Sequence, residues 1–163
     1  MSAASNSGAP APIPEFDAVI LGRSFACRRA ADRLRDDLYL SVCELVSVTS
    51  ATYDDIDNRW EFHVGSFVIA RAKFVIDGDG TIHLQGREDT AIDPAAVTAH
   101  GFPNLFRPVG TDRIDSLGYT VACIEYMRTH GHDYSERRLR TPVADDDFPE
   151  LSFDRPIPAM WIG

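Results

Sequence analysis

The stretch WEFHVGSFVIARAKFVIDGDGTIHLQ, residues 60–85, decides the fold. Its apolar residues recur at every second position, which is the periodicity of a β-strand with one buried face. They are Trp60, Phe62 and Val64 in the first run, and Val68, Ala70, Ala72, Phe74 and Ile76 in the second. Residues 65–66 separate the two runs, and the turn-forming residues 77–80 precede a third run at 81–85. We therefore predict antiparallel strands joined by hairpins.

The segments before this stretch predict two further strands and a helix. Residues 16–21 form a short apolar run that ends at Gly22, and Ser24 is a suitable N-cap for a helix over residues 25–37. The apolar stripe of that helix contains Cys27, Ala30 or Ala31, Leu34 and Leu38. A longer strand is predicted from Leu40 to Thr52, because apolar residues recur there at period two.

A second helix follows the strands. It is expected to start between Thr111 and Ser116, and Gly131 is suited to end it in a left-handed conformation. The order of helices and strands predicts an α+β fold: an antiparallel sheet of about four or five strands with two main helices packed on one face.

The chain ends differ in composition from the middle. Residues 1–14 are rich in proline, alanine and serine and predict a flexible arm. Residues 15–141 form the single α+β domain, and residues 142–163 form an extended, proline-rich tail. The tail carries too much apolar and aromatic area to remain in water, so it packs on its own domain or on a neighbour.

Charge and composition restrict the possible functions. The 163 residues carry a net charge of -9, which argues against broad nucleic-acid binding and against attraction to an anionic membrane. The apolar runs are far shorter than a bilayer span, which takes about 20 residues. The first fourteen residues lack the pattern of a secretory signal, and the three cysteines form no C-x-x-C pair. We expect a cytoplasmic protein without a cofactor, because no nucleotide-binding or nucleophile motif is present.

Two residues are candidates for acid and base chemistry. Glu44 shares a face with Leu40 and Val42 if the predicted strand alternates strictly, and a carboxylate among such neighbours would be perturbed. Glu44 or His63 would then act in a pocket between helix and sheet. A salt bridge from a nearby arginine to Glu44 would remove this interest.

The pair His130 and His132 is the candidate metal site. Two imidazoles one residue apart can converge on a metal if Gly131 turns the backbone, with a third ligand such as His63, His83 or Glu44. The alternative is that His130 completes the helix C-terminus while His132 lies in an exposed loop.

The segment Asp77 to Ile82 resembles the middle of an EF-hand calcium loop. The resemblance covers six residues and implies calcium ligation by the acidic side chains. It fails at Val75, where an acid belongs, and at Gly86, where the bidentate glutamate belongs. A polar hairpin turn is therefore the preferred interpretation.

The arms and the missing catalytic motifs favour a non-enzymatic protein-binding or assembly subunit. In this hypothesis the arms contact a partner protein or another copy of the chain, as in a homo-oligomer. Phe153, Met160 and Trp161 in the tail are the expected anchors. The alternative is a small α+β enzyme that uses the acid/base or metal residues named above.

Overall fold

The computed structural model of the protein describes residues 12–78, 80, 82–88, 91–93, 95–108, 115–137, 148 and 150–153. The elements in chain order are β1 (Glu15–Leu21), α1 (Phe25–Asp36), β2 (Val42–Leu45), β3 (Ser50–Asp54), β4 (Arg59–Val64), β5 (Phe67–Asp77), β6 (His83–Gln85), β7 (Leu105–Phe106), α2 (Ser116–His130), β8 (Ser135–Arg137) and β9 (Leu151–Phe153). Two helices and a sheet of several strands confirm the predicted α+β class.

Seven of these strands form one mixed sheet. Its order is β2-β1-β5-β4-β3-β6, and β7 pairs with β5 outside this path. Strands β3, β4 and β5 are antiparallel, as predicted, whereas β1 is parallel to both β2 and β5. The prediction of a purely antiparallel sheet is wrong in this respect. Helix α1 explains the parallel pairing of β1 and β2. It connects the carboxyl end of β1 to the amino end of β2, as the helix of any β-α-β crossover does.

The predicted hairpin at residues 77–80 is also wrong. Strand β6 pairs with β3 in parallel, with Ser50 opposite His83, and it does not return along β5. The carboxyl half of β5 has no open edge, because Val75 pairs with β1 on one side and with β7 on the other. The chain after Asp77 therefore crosses to the far edge of the sheet.

The apolar side chains at the even-numbered positions of β5 pack in different cores in the two halves of the strand. Ala70 and Ala72 pack in one cluster, but Phe74 and Ile76 pack in the other. The single face predicted for residues 68–76 is therefore wrong. The change occurs where the neighbour of β5 switches from β4 to β7. The alternation of side chains is broken between these two halves of the strand.

The strand predicted from Leu40 to Thr52 is divided in two. Its first part, β2, is an edge strand beside β1, and its second part, β3, lies beyond β4. Residues 46–49 connect the parts, so the chain crosses three neighbouring strands over this segment. The period-two spacing of Val42, Val46 and Val48 continues through this connection. The sequence pattern therefore does not reveal the break between β2 and β3.

Both helices begin and end as the sequence predicts. Ser24 caps α1 by accepting a hydrogen bond from the Cys27 amide (3.2 Å), and the predicted apolar stripe is buried. Asp115 caps α2 by accepting a hydrogen bond from the Gly118 amide (2.8 Å). Gly131 ends α2 with φ 70°, in the left-handed region that glycine adopts without strain.

The sheet separates two apolar cores. The first lies under both helices, which confirms that they pack on one face; it contains Ala18, Ile20, Leu34, Phe74, Phe106, Ile124 and Met127. The second covers the opposite face and contains Val19, Ala51, Trp60, Phe62, Val75, Phe102 and Leu105. The indole N–H of Trp60 donates to the Pro103 carbonyl (2.7 Å), so this buried polar group is satisfied.

Part of the C-terminal tail packs on its own domain. Strand β9 pairs with β8 in an antiparallel sheet of two strands, and Leu151 is fully buried in the helix-side core. Phe148 and Phe153 pack against the same core. The part of the chain that the structure describes contains no helix long and apolar enough to cross a membrane.

We predict that Gly78→Ala lowers the free energy of unfolding by about 1–3 kcal/mol. A Cβ atom at this position would overlap the Cys27 sulfur, so α1 and the residue after β5 would be forced apart. Urea unfolding of Gly78→Ala, Cys27→Ala and the double variant tests the contact. Removing the sulfur should make the double variant more stable than the sum of the single effects predicts, and strict additivity would contradict the contact.

Candidate functional site

The carboxyl ends of four parallel strands lie side by side along one border of the sheet, which we call the carboxyl edge. Strands β1, β2, β5 and β7 run in the same direction, and Asp77 is the last residue of β5 while Arg107 directly follows β7. Ligands of open α/β sheets bind in the crevice outside the carboxyl ends of parallel strands. This edge is therefore the first place to search for a site.

Asp77 and Arg107 form a buried, oppositely charged pair at this edge. Asp77 is almost completely buried, and its Oδ1 accepts a hydrogen bond from the Gly80 amide (2.9 Å). Its Oδ2 lies 3.9 Å from Arg107 Nε, which is too long for a hydrogen bond. Burying one charge without the other would cost free energy. Their proximity therefore explains why both charged side chains can be buried.

Arg107 is held by the backbone of the preceding loop. Its amide donates to the Val97 carbonyl (2.7 Å), and its Nη1 donates to the Asp93 carbonyl (3.0 Å). Arg107 Nε is buried and has no hydrogen-bond partner among the residues that the structure describes. One N–H group of the guanidinium therefore has no acceptor among the described residues.

A cavity of about 400 Å³ opens onto this pair. It is lined by Asp77, Gly80, Ile82, His83, Leu84, Ile92, Phe102 and Arg107. A neighbouring cavity of about 500 Å³ shares His83, Leu84 and Phe102 with it, so the two adjoin along β6. Small-molecule sites have volumes of about 300–1,000 Å³ and combine apolar walls with a few polar groups. The volume of the first cavity lies in this range, and four of its eight lining residues are apolar.

The EF-hand resemblance has no support in this geometry. Asp77 faces the guanidinium of Arg107, and a calcium ion at its carboxylate would be repelled by that positive charge. Asp79, the second acid of the motif, lies outside the described residues.

The α1 N-terminus also lies at this edge, but the chain's own atoms occupy it. Ser24 caps the first turn, and the Gly78 amide donates to the Leu21 carbonyl (3.0 Å) directly beside Cys27. The close approach of Gly78 fills the space in front of the helix.

The structure does not bring Glu44 and His63 together. Glu44 is on the edge strand β2 and His63 is on β4, with β1 and β5 between them, so they lie at least about 14 Å apart. The expected burial of Glu44 is wrong, because its side chain is exposed and its Oε2 accepts a hydrogen bond from Arg35 Nη1 (3.2 Å). The other Arg35 nitrogen, Nη2, donates to the Val42 carbonyl (3.0 Å). Arg35 is thus the arginine partner whose salt bridge argues against an acid/base role for Glu44.

His130 and His132 belong to an aromatic cluster. The ring of His132 stacks on Tyr126 and Phe153, with centroids 5.9 Å and 5.0 Å away, and the ring of His130 lies 4.1 Å from that of Tyr126. His130 is in the last turn of α2, as expected, and its Nδ1 is 2.9 Å from the Tyr126 carbonyl. The expectation that His132 lies in an exposed loop is wrong, because its side chain is buried. Within the described ranges, no group of three histidine, cysteine or acidic residues is placed to hold a metal.

Of the three predicted partner anchors, only Phe153 is described. Its ring packs on Tyr126 and His132 of its own domain, as the intramolecular alternative for the tail requires. Met160 and Trp161 lie outside the described residues.

The pair formed by Asp77 and Arg107 was not predicted from the sequence. Asp77 was predicted to lie in a turn, and nothing in the local sequence near Arg107 indicates which acid faces it. The available signal was an acid followed by glycine at the end of a strongly apolar strand. In a parallel sheet, such a residue lies beside the crevice at the carboxyl ends of the strands.

Comparisons with known proteins leave the family open. No protein-family model matches the chain, and no curated protein matches it. Among solved structures it is similar to the closed crystal structure of cyclohexanone monooxygenase, with 14% identity and a TM-score of 0.38. The match covers 54% of this chain and 30% of the monooxygenase chain. A similarity of this size identifies neither family nor function.

We predict that Cys123 does not react as a nucleophile in the native protein. Burial raises the pKa of its thiol to about 12, and the thiolate is the reactive form. Iodoacetamide at about pH 7.5 should leave Cys123 unmodified while the protein is folded, and urea should expose it. Peptide mass spectrometry under both conditions measures this. Equal rates in the two conditions would contradict the prediction.

Proposed function

We propose that the chain is a non-enzymatic protein-binding or assembly subunit that associates with a partner protein or with a second copy of itself. The observation that carries this proposal is an exposed apolar corner formed by Ile13, Val64 and Phe67. Apolar surface of this kind is stabilised when another chain removes it from water.

Strand pairing makes the apolar corner continuous. Val64 and Phe67 are direct cross-strand partners at the tip of the β4–β5 hairpin. The Arg71 amide donates to the Pro14 carbonyl (2.9 Å), and this pairing brings Ile13 alongside the first residues of β5. The exposed fractions are 40% for Ile13, 38% for Val64 and 75% for Phe67.

The arms are expected to supply the remaining contact area. Three side chains bury much less than the roughly 800 Å² per partner of a standard interface. Ile13 belongs to the N-terminal arm, residues 1–14, and the proposal assigns further contact area to the rest of this arm. Met160 and Trp161 remain predicted anchors, whereas Phe153 is no longer needed in this role because it packs within the domain.

The geometry gives less support to the enzyme alternative. Its acid/base candidates were Glu44 or His63, and Glu44 is exposed and forms a salt bridge with Arg35. Its metal candidates, His130 and His132, lie in an aromatic cluster. A cytoplasmic location and the absence of nucleic-acid partners remain part of the proposal, on the charge and composition of the chain.

We predict that Phe67→Ser weakens association about tenfold or more, because it removes the largest side chain of the apolar corner. Light scattering during size-exclusion chromatography over a concentration series, with native mass spectrometry, measures the subunit number and any partner.

The matched control is Ile56→Ser. Ile56 is 92% exposed in the turn between β3 and β4, away from the apolar corner, so its replacement should leave association unchanged. A wild-type protein that is monomeric at every concentration and carries no partner when isolated from its source would refute the proposal. Equal losses in both variants would refute the role of the corner.

A further inference from the structure

The first two turns of α1 present arginine and apolar side chains that the proposed function does not use. Arg23 lies just before the helix, and Arg28 and Arg29 follow one turn into it. Phe25 is 76% exposed, and the guanidinium carbon of Arg29 lies 5.9 Å from the centre of its ring. We call this surface, together with Val46, the arginine patch.

Val46 belongs to the patch because β2 ends beside the start of α1. The Gly22 amide donates to the Leu45 carbonyl (3.2 Å), so the two following residues, Arg23 and Val46, leave the carboxyl edge side by side. Val46 is 48% exposed. The patch therefore combines two exposed apolar side chains with three cations.

The three arginines of the patch have no acidic partner within the described residues. Further along the same helix, Arg33 pairs with Asp37 and Arg35 pairs with Glu44. None of the ion pairs in the described part of the chain includes an arginine of the patch. Residues 22–31 also contain no acid. The carboxylates that pair with the other arginines of α1 are therefore missing here.

The acids nearest to the patch do not cancel its charge. Asp32 is the first acid of α1, and it forms no ion pair with Arg28 four positions earlier. Asp79 follows Gly78, which lies against Cys27 of α1, and Asp79 itself is outside the described residues. When both carboxylates are counted beside the three arginines, the patch keeps a net positive charge.

The arrangement of these cations disfavours the helix that carries them. The first turn of α1 contains no acidic residue, and Arg29 stands four positions before Arg33, so like charges face each other on the helix surface. Nothing in the described part of the chain offsets this repulsion at Arg29. Carboxylates from another molecule would offset it, because guanidinium groups bind carboxylates through paired hydrogen bonds.

The charge of the whole chain restricts the kind of anion that fits. The net charge is -9 even though these three arginines are included, so the remainder of the chain is more acidic still. A nucleic acid or an anionic membrane spreads its charges over a wide surface, and that remainder repels it. A short acidic segment contacts the patch alone. Arginine and aromatic side chains are also the groups that anchor protein interfaces.

We propose that the arginine patch is a docking surface for an acidic segment of a partner protein, in which carboxylates flank an apolar side chain. The carboxylates pair with Arg23, Arg28 and Arg29, and the apolar side chain covers Phe25 and Val46.

This surface is separate from the apolar corner of the proposed function. The patch lies at the carboxyl edge, where β5 ends with Asp77, whereas the corner lies where β5 begins with Phe67. These two residues are about 33 Å apart along the strand. A segment bound at the patch therefore leaves the apolar corner free.

A labelled peptide tests the docking surface on the full chain. The probe is a short fluorescent peptide in which aspartates and glutamates flank one phenylalanine, and its anisotropy is measured during titration with the protein. We expect a dissociation constant of about 100 μM or tighter at low salt. Replacing the acids of the peptide by their amides should weaken binding at least about tenfold, and about 0.3 M salt should weaken it at least about fivefold.

Two double variants of equal charge locate the contact. Arg28→Gln with Arg29→Gln should weaken binding at least about tenfold, because it removes two of the three cations. Arg33→Gln with Arg35→Gln removes the same charge from the same helix, but these arginines already pair with acids of the chain, so binding should fall about twofold or less. Melting curves verify that both double variants remain folded.

A second comparison tests the apolar contact. Phe25→Ser should weaken binding at least about fivefold, because it removes the exposed ring at the centre of the patch. Tyr39→Ser is the matched control, since Tyr39 is an aromatic residue just beyond the other end of α1 and is 86% exposed. This control should bind the peptide like wild type.

The proposal is overturned if the acidic peptide shows no saturable binding up to about 1 mM protein at low salt. It is also overturned if the amide peptide binds equally well, or if the two double variants lose the same affinity. Tighter binding of single-stranded poly(dT), or of vesicles that contain phosphatidylserine, would replace the acidic segment by another class of partner. Phe67→Ser should bind the peptide like wild type, so failure here is distinguishable from failure of the assembly proposal.

Discussion

The backbone pairing of β5 is the interaction on which the rest of the structure depends. This strand pairs with β1 in parallel on one side, and with β4 and then β7 on the other. It therefore joins the antiparallel part of the sheet to the parallel part. Its eleven residues also contribute to both apolar cores: Phe74 and Ile76 pack in the helix-side core, and Ala70, Ala72 and Val75 pack in the opposite core. Buried backbone groups need such partners, so a break in this strand would leave amides of three neighbours unpaired.

The position of β5 also explains why the two ends of the sheet differ. At its start β5 pairs with the hairpin partner β4, and β1 pairs with it only from Arg71 onward, so apolar side chains such as Phe67 remain in solvent. At its end four parallel strands converge and enclose Asp77. One strand thus carries an open apolar surface at one end and a polar crevice at the other. Among the described residues of that crevice, Arg107 offsets the carboxylate of Asp77.

Local features of the fold could be predicted, and non-local ones could not. Ser24, the apolar stripe of α1 and Gly131 act within one or two helical turns, so the sequence contains the whole signal. The predicted strands at 60–64 and 67–76 also exist. Their partners were harder to predict, because period-two alternation marks a strand without naming its neighbours. The parallel pairing of β1 with β5 joins segments more than fifty residues apart, and no residue at either segment specifies it. The burial of Asp77 follows from that pairing, and the exposure of Glu44 follows from the edge position of β2.

Arg35 has a further consequence for the edge of the sheet. The Ala18 and Gly22 amides donate to the Ser41 and Leu45 carbonyls, so the backbone groups of Val42 and Glu44 point away from β1. Such an outward row is a template on which another chain can add a strand and begin to aggregate. Arg35 occupies the Val42 carbonyl and, through Glu44, places two charged side chains along this row. A strand that approached would have to displace both charges, and β2 is thereby protected from uncontrolled edge-to-edge growth.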